Sequence, residues 1–498
     1  MSPGVTDLIS RFGALRMLVV GDAILDSYLD GAATRLCREA PVPIVDVTVR
    51  GDAPGGAANT AANARALGAS VRLISITGDD GEARVLRETL ERLGVEAAGL
   101  IPVPGRRTLA KTRVLASGHM MLRFDQGDGG AVDAATERRL VAALEEEFAR
   151  ADAVIVSDYG YGVVTPRLVE RLIRLQAESP RIVLVDARDL LRFRGLAITA
   201  IKPNFQEAIR LIGPRALAPD RDRAEAVAPH AARLLDMVGA QIAAITLDTD
   251  GALVVERGRA AYRTYAKPAR HARAAGAGDT FAATFALALA AGGHTPAAAE
   301  LASSAAAIVV AQDGTSVCGP RELAEHFGPG DKYLGGLDDL AARVAYHRQQ
   351  GRRVVFTNGC FDILHRGHIT YLNRAKALGD LLVVGLNSDA SVRRLKGEGR
   401  PINALDDRVQ VLAALSCIDH IVPFDDDTPA ALIAAIRPDV FVKGGDYTRD
   451  TLPEAPLVES LGGIVHLLPL VEDRSTTGII ERVRSSAPAP RASRSAGR

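Results

Sequence analysis

Short apolar runs alternate with longer amphipathic stretches along most of the 498-residue chain. The runs are rich in Val and Ile, which is typical of strands buried in a parallel sheet. The stretches between them repeat their apolar positions as helices do, with one face turned toward such a sheet. The pattern therefore predicts an α/β fold of successive βα units. In the first half it places strands at 17–20, 71–76, 153–156, 182–186 and 242–247.

Two further segments, 42–49 and 109–115, differ from these buried runs. Their apolar positions alternate more nearly every second residue, and Pro and Gly stand at their flanks. Alternation of this kind indicates strands with one exposed face, so the two segments predict a small accessory sheet, or lid. The longest apolar stretch, 281–291, is too short to cross a bilayer and predicts a buried helix.

A break in the pattern divides the chain. Residues 327–336 are rich in Gly and Pro, and 337–350 form a polar amphipathic segment ahead of a strand at 353–357. The βα rhythm then resumes, with strands at 381–385, 420–422, 440–442 and 464–468. We expect two doubly wound parallel-sheet domains, the first with the lid. Their predicted bounds are 1–328 and 351–484, with a linker and connecting helix at 329–350 and a disordered tail at 485–498.

Composition narrows the choice of partners. Sixty Lys and Arg residues balance 60 Asp and Glu residues, so no overall field attracts nucleic acid or an anionic membrane. The four cysteines, at positions 37, 318, 360 and 417, form no CxxC pair, which favours reduced thiols. The first 12 residues lack the apolar region of a signal peptide. We therefore expect a cytoplasmic protein with no nucleic-acid or membrane partner.

A Gly-Ala-Gly turn precedes Asp279, which opens the apolar helix of the first domain. The backbone N–H groups of Gly276, Ala277 and Gly278 would point at a ligand, because a helix start has unpaired amides that favour an anion. A carboxylate beside such an anion hole can accept the proton of a sugar hydroxyl that attacks a phosphoryl group. The alternative is a plain helix start in a chain rich in Gly and Ala.

A pair of histidines follows a strand of the second domain. The strand ends in Thr357, Asn358 and Gly359, and His365 and His368 then open a helix. In a doubly wound sheet, nucleotide phosphates bind where a strand leads into a helix. Two imidazoles at this spacing can donate hydrogen bonds to one phosphate as charge builds up on it. The alternatives are a structural histidine pair and a metal site, although no third ligand is near in sequence.

Residues 11–325 resemble the ribokinase family of sugar kinases, in several motifs that keep the family's order. The resemblance implies a ribokinase-like domain in which Asp279 is the base. It also implies that backbone and side chains near the first strand bind the sugar, and that cations of the lid bind a phosphate on it. The implied sugar-binding residues are Asp22, Asp26, Gly55, Gly56, Asn59, Lys111, Arg113 and Arg123. For each cation, a solvated surface position is the alternative.

The family's NxxE motif matches Asn204 and Glu207, and the resemblance implies that Glu207 orients Mg²⁺ of the Mg²⁺–ATP complex through water. A helix capping box is the competing interpretation, and both can hold together. Thr246 and Gly251 resemble the strand and turn beside the nucleotide. The implied nucleotide-binding residues are Asn204, Phe205, Gln206, Glu207, Thr246, Gly251, Gly276, Ala277 and Gly278.

The chain departs from the family pattern at three places. Arg273 stands where the family usually has an acidic residue, on a segment associated with a monovalent cation. A monovalent cation is therefore a second candidate cofactor, against which Arg273 argues. Tyr161 and Arg188 stand where heptose kinases would carry lysines, with Ala187 in place of a proline.

Residues 350–482 resemble the nucleotidyltransferases with an HxGH signature, which implies a Rossmann-like domain. Hydroxyls and amides at the start of the last helix suit nucleotide phosphates, although helix capping would explain the same residues. The implied catalytic residues are His365, His368 and Lys396. The implied nucleotide-binding residues are Thr357, Asn358, Gly359, Phe361, Asp446, Ser475, Thr476 and Thr477.

Together, the two domains resemble the bifunctional heptose enzymes of ADP-heptose synthesis. The resemblance implies that ATP phosphorylates D-glycero-β-D-manno-heptose 7-phosphate at C1, and that a second ATP adenylylates heptose 1-phosphate and releases pyrophosphate. Its implied partners are sugar phosphates, ATP and, by analogy with the family's lids, a second copy of the chain. Two alternatives stay open: a kinase domain that has drifted into a binding or dimerisation module, and a different sugar phosphate or CTP as substrate.

Overall fold

The computed structural model describes residues 5–213, 222–265, 276–312, 315–327, 332–444 and 448–468. The chain divides into two compact units, Met1–His326 and Phe327–Arg498. We call them the N-terminal and C-terminal units. The predicted tail at 485–498 lies outside the described residues.

Thirteen strands are described in the N-terminal unit. They are β1 Arg16–Gly21, β2 Ala23–Leu36, β3 Pro43–Gly56, β4 Ser70–Thr77, β5 Leu100–Pro102, β6 Ala110–Ala116, β7 His119–Gln126, β8 Ala153–Asp158, β9 Ile182–Ala187, β10 Ile198–Ile201, β11 Ala240–Thr246, β12 Ala252–Glu256 and β13 Tyr262–Thr264. Nine of them form one sheet, in the order β13-β12-β11-β10-β9-β8-β1-β4-β5. The strands from β11 to β5 run parallel, and β12 and β13 are antiparallel additions at one edge.

The centre of this sheet is apolar on both faces. Val19 of β1 lies opposite Leu73 of β4 and Ile155 of β8, and all three side chains are buried. Burial on both faces explains why these strands are continuous Val and Ile runs without alternation. The predicted α/β class is confirmed, and the five strands predicted in the first half all occur.

Helices cover the two faces of the sheet. Several begin at side-chain caps that the sequence supplies, as where Asp133 accepts a hydrogen bond from the N–H of Thr136. The same helix buries Leu140, Leu144 and Phe148, which recur at helical spacing. The helices are α1 Val5–Arg11, α2 Ala57–Ala66, α3 Gly81–Arg92, α4 Ala134–Phe148, α5 Pro166–Glu178, α6 Phe205–Ile212, α7 Arg223–Val227, α8 Ala231–Val238, α9 Ala277–Ala290, α10 Thr295–Val310 and α11 Pro320–His326.

A four-stranded sheet, in the order β3-β2-β6-β7, forms the predicted lid. Its strands β3 and β6 were predicted from alternation, but β2 and β7 were not. The reason lies in β2, whose first five residues are buried in the unit while its last five are exposed. One continuous strand thus passes between two environments, so its sequence follows neither the buried nor the alternating pattern.

The C-terminal unit is built on a five-stranded parallel sheet. Its strands are β14 Val354–Gly359, β15 Leu381–Asn387, β16 His420–Phe424, β17 Val440–Gly444 and β18 Ile464–Leu468, in the order β16-β15-β14-β17-β18. The helices are α12 Leu337–Gln349, α13 Arg366–Lys376, α14 Asp389–Lys396, α15 Leu405–Ala413, α16 Ala430–Ile436 and α17 Ala455–Ser460. The strand order reverses beside β14, and in such sheets ligands bind at the carboxyl end of that strand.

Candidate active sites

The backbone of the turn before Asp279 has a conformation that requires glycine at position 276. Helix α9 begins at Ala277, two residues earlier than predicted, because Gly276 turns the chain with a φ of 90°. A Cβ atom on Gly276 would lie 2.6 Å from Nδ2 of Asn59, which is closer than real Cβ contacts come. Both the left-handed backbone and the close neighbour therefore call for glycine. Asp279 lies in the first turn of the helix.

Three side chains donate hydrogen bonds to the Asp279 carboxylate. Asn59 donates from Nδ2 to Oδ2 at 2.8 Å, and the Tyr159 hydroxyl donates to Oδ1 at 2.8 Å. Thr60 adds a longer contact to Oδ1, at 3.4 Å. Burial raises the pKa of the Asp279 carboxyl, and the hydrogen bonds from Asn59 and Tyr159 oppose that rise. The carboxylate is thus fixed in position beside the turn.

A buried ion pair lies next to the same turn. Nζ of Lys202 is 3.1 Å from Oδ2 of Asp186 and 3.3 Å from where a Cβ on Gly278 would be. Burial raises the pKa of Asp186 to about 6, against the pull of Lys202. Burial alone would lower the pKa of Lys202, but the charge of Asp186 raises it, so Lys202 keeps its positive charge. Neither residue was predicted as a site residue, since their positions 186 and 202 give no sign that they meet.

The strands of the lid bring further charged groups into the surroundings of Asp279. Arg113 of β6 donates to Asp26 of β2 at 2.9 Å, in a largely buried pair. A Cβ on Gly55 would lie 2.7 Å from Oδ2 of Asp26, so the glycine leaves room for this carboxylate. Nζ of Lys111 lies over the ring of Tyr159, 5.6 Å from its centroid. Asp26, Gly55 and Arg113 therefore form one group of contacts, and Lys111 packs on the tyrosine that donates to Asp279.

Two residues predicted for the sugar site, Asp22 and Arg123, have their charged groups bonded to other parts of the protein. Asp22 is fully buried, and its carboxylate accepts hydrogen bonds from the backbone N–H groups of Tyr159, Tyr161 and Val163. These bonds shape the loop after β8. Arg123 of β7 is exposed and pairs with Asp125 on its own strand.

Two further positions, Gly56 and Tyr161, have close contacts at the loop after β8. Gly56 has a φ of 57°, and a Cβ there would be 2.5 Å from the carbonyl oxygen of Asp22. Two cationic side chains lie over the ring of Tyr161, with Nζ of Lys111 6.0 Å and Cζ of Arg188 5.5 Å from its centroid. The departures from the family pattern at 161 and 188 thus contact each other.

The NxxE segment forms a complete capping box at the start of α6. Asn204 accepts from the N–H of Glu207 at 2.9 Å, and Oε2 of Glu207 accepts from the N–H of Asn204 at 2.9 Å. The capping interpretation is therefore confirmed. Thr246, at the end of β11, forms an isolated parallel β-bridge with Asn204. Gly251 directly precedes β12 and has a φ of 87°. Phe205 and Gln206 follow in the first turn, with Arg223 over the Phe205 ring.

The two histidines of the C-terminal unit are stacked at the start of α13. Their ring centroids are 4.0 Å apart, and the edge of Phe361 meets His368 at 5.3 Å. Nδ1 of His365, the N-cap residue, accepts a hydrogen bond from the N–H of Gly367 at 3.1 Å. Because Nδ1 is the acceptor, the neutral ring carries its proton on Nε2. Burial, and then the charge of His365, lowers the pKa of His368 to about 4, so His368 is neutral near pH 7.

The end of β14 is tied to its neighbours by side chains. Nζ of Lys443 lies 2.8 Å from Oδ1 of Asn358, and the hydroxyls of Thr357 and Tyr371 are 2.6 Å apart. Thr357 is fully buried, so its hydroxyl links the end of β14 to α13 inside the unit. A Cβ on Gly359 would lie 3.0 Å from the ring of Phe361, which itself has a φ of 43°.

Lys396 is exposed at the end of α14. The loop that follows it is held by Asp362, which accepts from the N–H groups of Ile402 and Asn403 at 2.7 and 2.9 Å. Arg408 is 1% exposed and donates to the carbonyl oxygens of residues 360, 387 and 403 and to Asp389. The predicted residues Arg273, Asp446, Ser475, Thr476 and Thr477 lie outside the described residues.

Two sequence families account for the two units. Residues 15–322 match the pfkB family of carbohydrate kinases, and residues 356–486 match a family described as cytidylyltransferase-like. The fold and the two sites thus define a carbohydrate kinase joined to a nucleotidyltransferase. Enzymes of these classes use ATP, generally with Mg²⁺, and carbohydrate kinases bind a sugar beside it.

Relatives match the chain along almost its whole length. The bifunctional protein HldE of Geobacter sulfurreducens is 42% identical over 487 residues, 96% of this chain and 98% of that protein. Those of Mesorhizobium japonicum and Pseudomonas aeruginosa are 42% and 40% identical, over 96% and 95% of this chain and 97% and 98% of theirs. The chain belongs to the HldE family of bifunctional proteins. It is a transferase with kinase and nucleotidyltransferase domains.

Solved structures agree on the fold of the N-terminal unit. The phosphofructokinase-2 of Escherichia coli in complex with substrates and products superposes with a TM-score of 0.51 at 20% identity. The superposition covers 62% of this chain and 97% of that one. At this identity it shows the ribokinase-like fold alone. In the described residues, no helix combines the length and hydropathy that a membrane crossing needs.

Proposed function

We propose that the N-terminal unit phosphorylates D-glycero-β-D-manno-heptose 7-phosphate at C1 with ATP. The C-terminal unit then transfers the adenylyl group of ATP to the resulting heptose 1-phosphate and releases pyrophosphate. The observation that carries this proposal is the presence of two phosphate-handling helix starts in one chain of the HldE family. One is the turn before Asp279, and the other is the His365–His368 pair.

In the kinase step, Asp279 accepts the proton of the C1 hydroxyl while that oxygen attacks the γ-phosphorus of ATP and ADP leaves. The amides of the Gly276–Gly278 turn stabilise the charge of the transferred group. Lys202, charged and 3.3 Å from the Gly278 Cβ position, adds a cation at the same point. We assign sugar contacts to Asp26 and to the lid cations Lys111 and Arg113. Asp22 instead supports the loop after β8, because it accepts hydrogen bonds from that loop's backbone. Arg123 supports the surface of the lid, because it pairs with Asp125 on its own strand.

The described residues fit a magnesium ion carried by the nucleotide phosphates. Glu207 uses Oε2 in the capping box, and a carboxylate has a second oxygen that suits a hard cation or its water. One acid is enough, since Mg²⁺ usually keeps several waters and takes further oxygens from the phosphates. Glu207 would thus hold the ion through water, and the ion would neutralise charge between the β- and γ-phosphates.

In the adenylyl transfer step, the phosphate oxygen of heptose 1-phosphate attacks the α-phosphorus of ATP, and the bond to pyrophosphate breaks. His365 and His368 donate N–H hydrogen bonds to the phosphate oxygens as charge shifts toward the leaving group. With its pKa near 4, His368 acts as a neutral donor rather than as a cation. Lys396, exposed at the end of α14, supplies the positive charge.

Mass spectrometry of the products tests both reactions on the full chain. With ATP and Mg²⁺, heptose 7-phosphate should gain one phosphoryl group, and heptose 1-phosphate should give ADP-heptose and pyrophosphate. Absence of the first product would favour a kinase unit that serves only in binding or dimerisation. Incubation with each sugar phosphate in turn identifies the preferred substrate.

CTP is the second candidate nucleotide, because the C-terminal unit matches a family described as cytidylyltransferase-like. The description of the family does not determine which base this chain binds, because residues of the individual chain select the base. ATP and CTP supplied together, at equal concentration, separate the two candidates. A product that carries mainly cytidine would overturn the assignment of ATP.

We further propose that the chain acts as a homodimer that pairs through its lid. Leu122 and Phe124 pair with Val114 and Thr112, so they lie on one face of β7, where they are 56% and 42% exposed. Large apolar side chains grouped in this way mark an interaction surface. Light scattering of the full chain should give twice the monomer mass, and Leu122→Lys should reduce it. The use of ATP by both units and the four free thiols support action in the cytoplasm.

A further inference from the structure

The hydroxyl of Tyr159 is placed against the carboxylate to which we assign proton removal. It lies 2.8 Å from Oδ1 of Asp279, and Tyr159 belongs to the loop after β8, 120 positions away in sequence. Burial, and then the charge of Asp279, raises the pKa of Tyr159 well above its ordinary value. The phenol therefore keeps its proton and is the donor in this hydrogen bond.

The rest of the structure holds Tyr159 in that place. Its backbone N–H donates to Oδ2 of Asp22 at 2.9 Å, which fixes the start of the loop. Its ring passes close to the backbone of Gly56, where a Cβ would come within 3.3 Å of Cε2. Nζ of Lys111 lies over the ring, 5.6 Å from its centroid. A tyrosine held by three elements can orient a carboxylate without reorganising at the moment of reaction.

We propose that Tyr159 is a positioning residue of the kinase site, whose hydroxyl keeps the Asp279 carboxylate ionised and oriented toward the sugar hydroxyl. This inference rests on the proposed function of Asp279 as the base. Asn59 occupies Oδ2 from the other side, so the two donors define the direction in which the carboxylate faces. Both donors stabilise the ionised carboxylate and lower its pKa, so Asp279 stays an anion to lower pH than burial alone would allow.

The elements around Asp279 differ in the charged and titratable groups that they bring near it. Helix α2 contributes only the uncharged Asn59 and Thr60, and α10 has a single charged residue, Glu300, which bonds Tyr262. Lys202 favours the ionised carboxylate, whereas Asp26 and the Asp186 partner of Lys202 disfavour it. In the described part of the chain, the groups that influence the ionisation of Asp279 thus include Asn59, Tyr159, Lys202, Asp26 and Asp186.

The test is the pH dependence of kcat/KM for the sugar phosphate, measured on the full chain with the Tyr159→Phe variant. Loss of a hydrogen bond to the ionised carboxylate raises the pKa of Asp279, so the acid limb should move up by about one pH unit. On that limb, kcat/KM should fall about tenfold, and it should recover toward the unaltered value at high pH. An unchanged acid limb with a raised KM would show that Tyr159 binds the sugar, and would overturn the inference.

A second substitution works in the opposite direction. Replacement of Tyr159 by 3-fluorotyrosine gives a more acidic phenol, which is a stronger donor, so the acid limb should move to lower pH. A shift in the same direction for both substitutions would contradict the inference. This variant keeps the size and hydrogen bond of tyrosine, so it remains informative if Tyr159→Phe folds poorly.

Tyr262→Phe is the matched control. Tyr262 also donates its hydroxyl to a carboxylate, that of the buried Glu300 on α10. Its loss should lower stability without moving the acid limb. Asp279→Asn distinguishes the role of the base from that of Tyr159. If Asp279→Asn keeps kinase activity, the proposed base is wrong, whereas if it is inactive and Tyr159→Phe keeps the normal profile, only the role of Tyr159 is wrong.

Discussion

Lys202 forms a buried ion pair with Asp186, with Nζ 3.1 Å from Oδ2, directly beside the turn that precedes Asp279, the proposed kinase base. The two residues come from the ends of neighbouring parallel strands, β9 and β10. Such strand ends share one edge of the sheet, where α/β enzymes bind their ligands. In the proposed reaction, Lys202 places a positive charge beside the turn at which the transferred phosphoryl group gains negative charge.

Replacement of Lys202 by Met should therefore reduce kinase kcat by about 100-fold or more, the usual cost of removing one stabilising group from a transition state. Adenylyl transfer by the same protein should be unchanged. Lys202→Arg keeps the charge and should retain more activity than Lys202→Met. Steady-state rates of the two reactions provide the measurement, and equal loss in both would point to unfolding instead.

Gly276 and Gly292 lie near the two ends of α9 and form a matched pair for substitution. Both have positive φ, 90° and 87°, but only Gly276 faces a close neighbour, Nδ2 of Asn59. Gly276→Ala should destabilise the protein by about 1–3 kcal/mol and reduce kinase activity, because Asn59 must move off Asp279. Gly292→Ala carries the same backbone strain and should keep the activity. Thermal unfolding and kinase assays of both variants check this, and equal activities would contradict it.

The low pKa of His368 predicts how the C-terminal unit responds to acid. That pKa is about 4 in the folded protein, against 6.5 ordinarily. Between these values the unfolded chain binds the extra proton, so stability is full above pH 6.5 and falls as the pH drops toward 4. The loss amounts to roughly 3 kcal/mol.

Hydrogen exchange measures this effect in the C-terminal unit. The urea concentration at which β14 amides lose protection should fall between pH 7 and pH 5. His368→Gln cannot be protonated, so its decrease over the same interval should be smaller. Equal decreases in the variant and the unaltered protein would assign the acid sensitivity to other groups.

Replacement of the buried Arg408 should reduce the free energy of unfolding more than replacement of an arginine at the surface. It is 1% exposed and donates to three backbone carbonyl oxygens and Asp389, whereas Arg394 is half-exposed and pairs with Asp425 and Asp427. Arg408→Met should cost about 3–5 kcal/mol, since it leaves buried acceptors without donors. Arg394→Met should cost at most about 1 kcal/mol.

Chemical unfolding of the C-terminal unit distinguishes the two arginines. Because Arg408 also holds the loop that follows Lys396, Arg408→Met should reduce adenylyl transfer more than Arg394→Met does. Similar unfolding midpoints for the two variants would mean that the network around Arg408 contributes little.

The fold was predictable wherever burial is uniform along an element. Val19 and its neighbours in the central strands are apolar on both sides, so their runs identify a parallel sheet. Strand β2 was missed because half of it is buried and half exposed. The Asn204–Glu207 segment could be predicted as a capping box, since capping depends on four consecutive residues.

The contacts within the kinase site could not be predicted in the same way. Asn59 and Tyr159 were separated from Asp279 by 220 and 120 positions, and nothing local marks them as its hydrogen-bond donors. Asn59 was expected to bind the sugar, and its amide donates to the Asp279 carboxylate. Asp22 stood in a predicted sugar-binding segment, and only the fold reveals that backbone N–H groups occupy its carboxylate.

We infer that one chain holds two separate active sites, one around Asp279 and one around His368. The most direct test measures both reactions in Asp279→Asn and His368→Ala, prepared as full chains. Asp279→Asn should lose phosphorylation of heptose 7-phosphate and keep adenylyl transfer to heptose 1-phosphate, and His368→Ala should do the reverse. If either variant loses both reactions while folded, or keeps both, the account of two independent sites is contradicted.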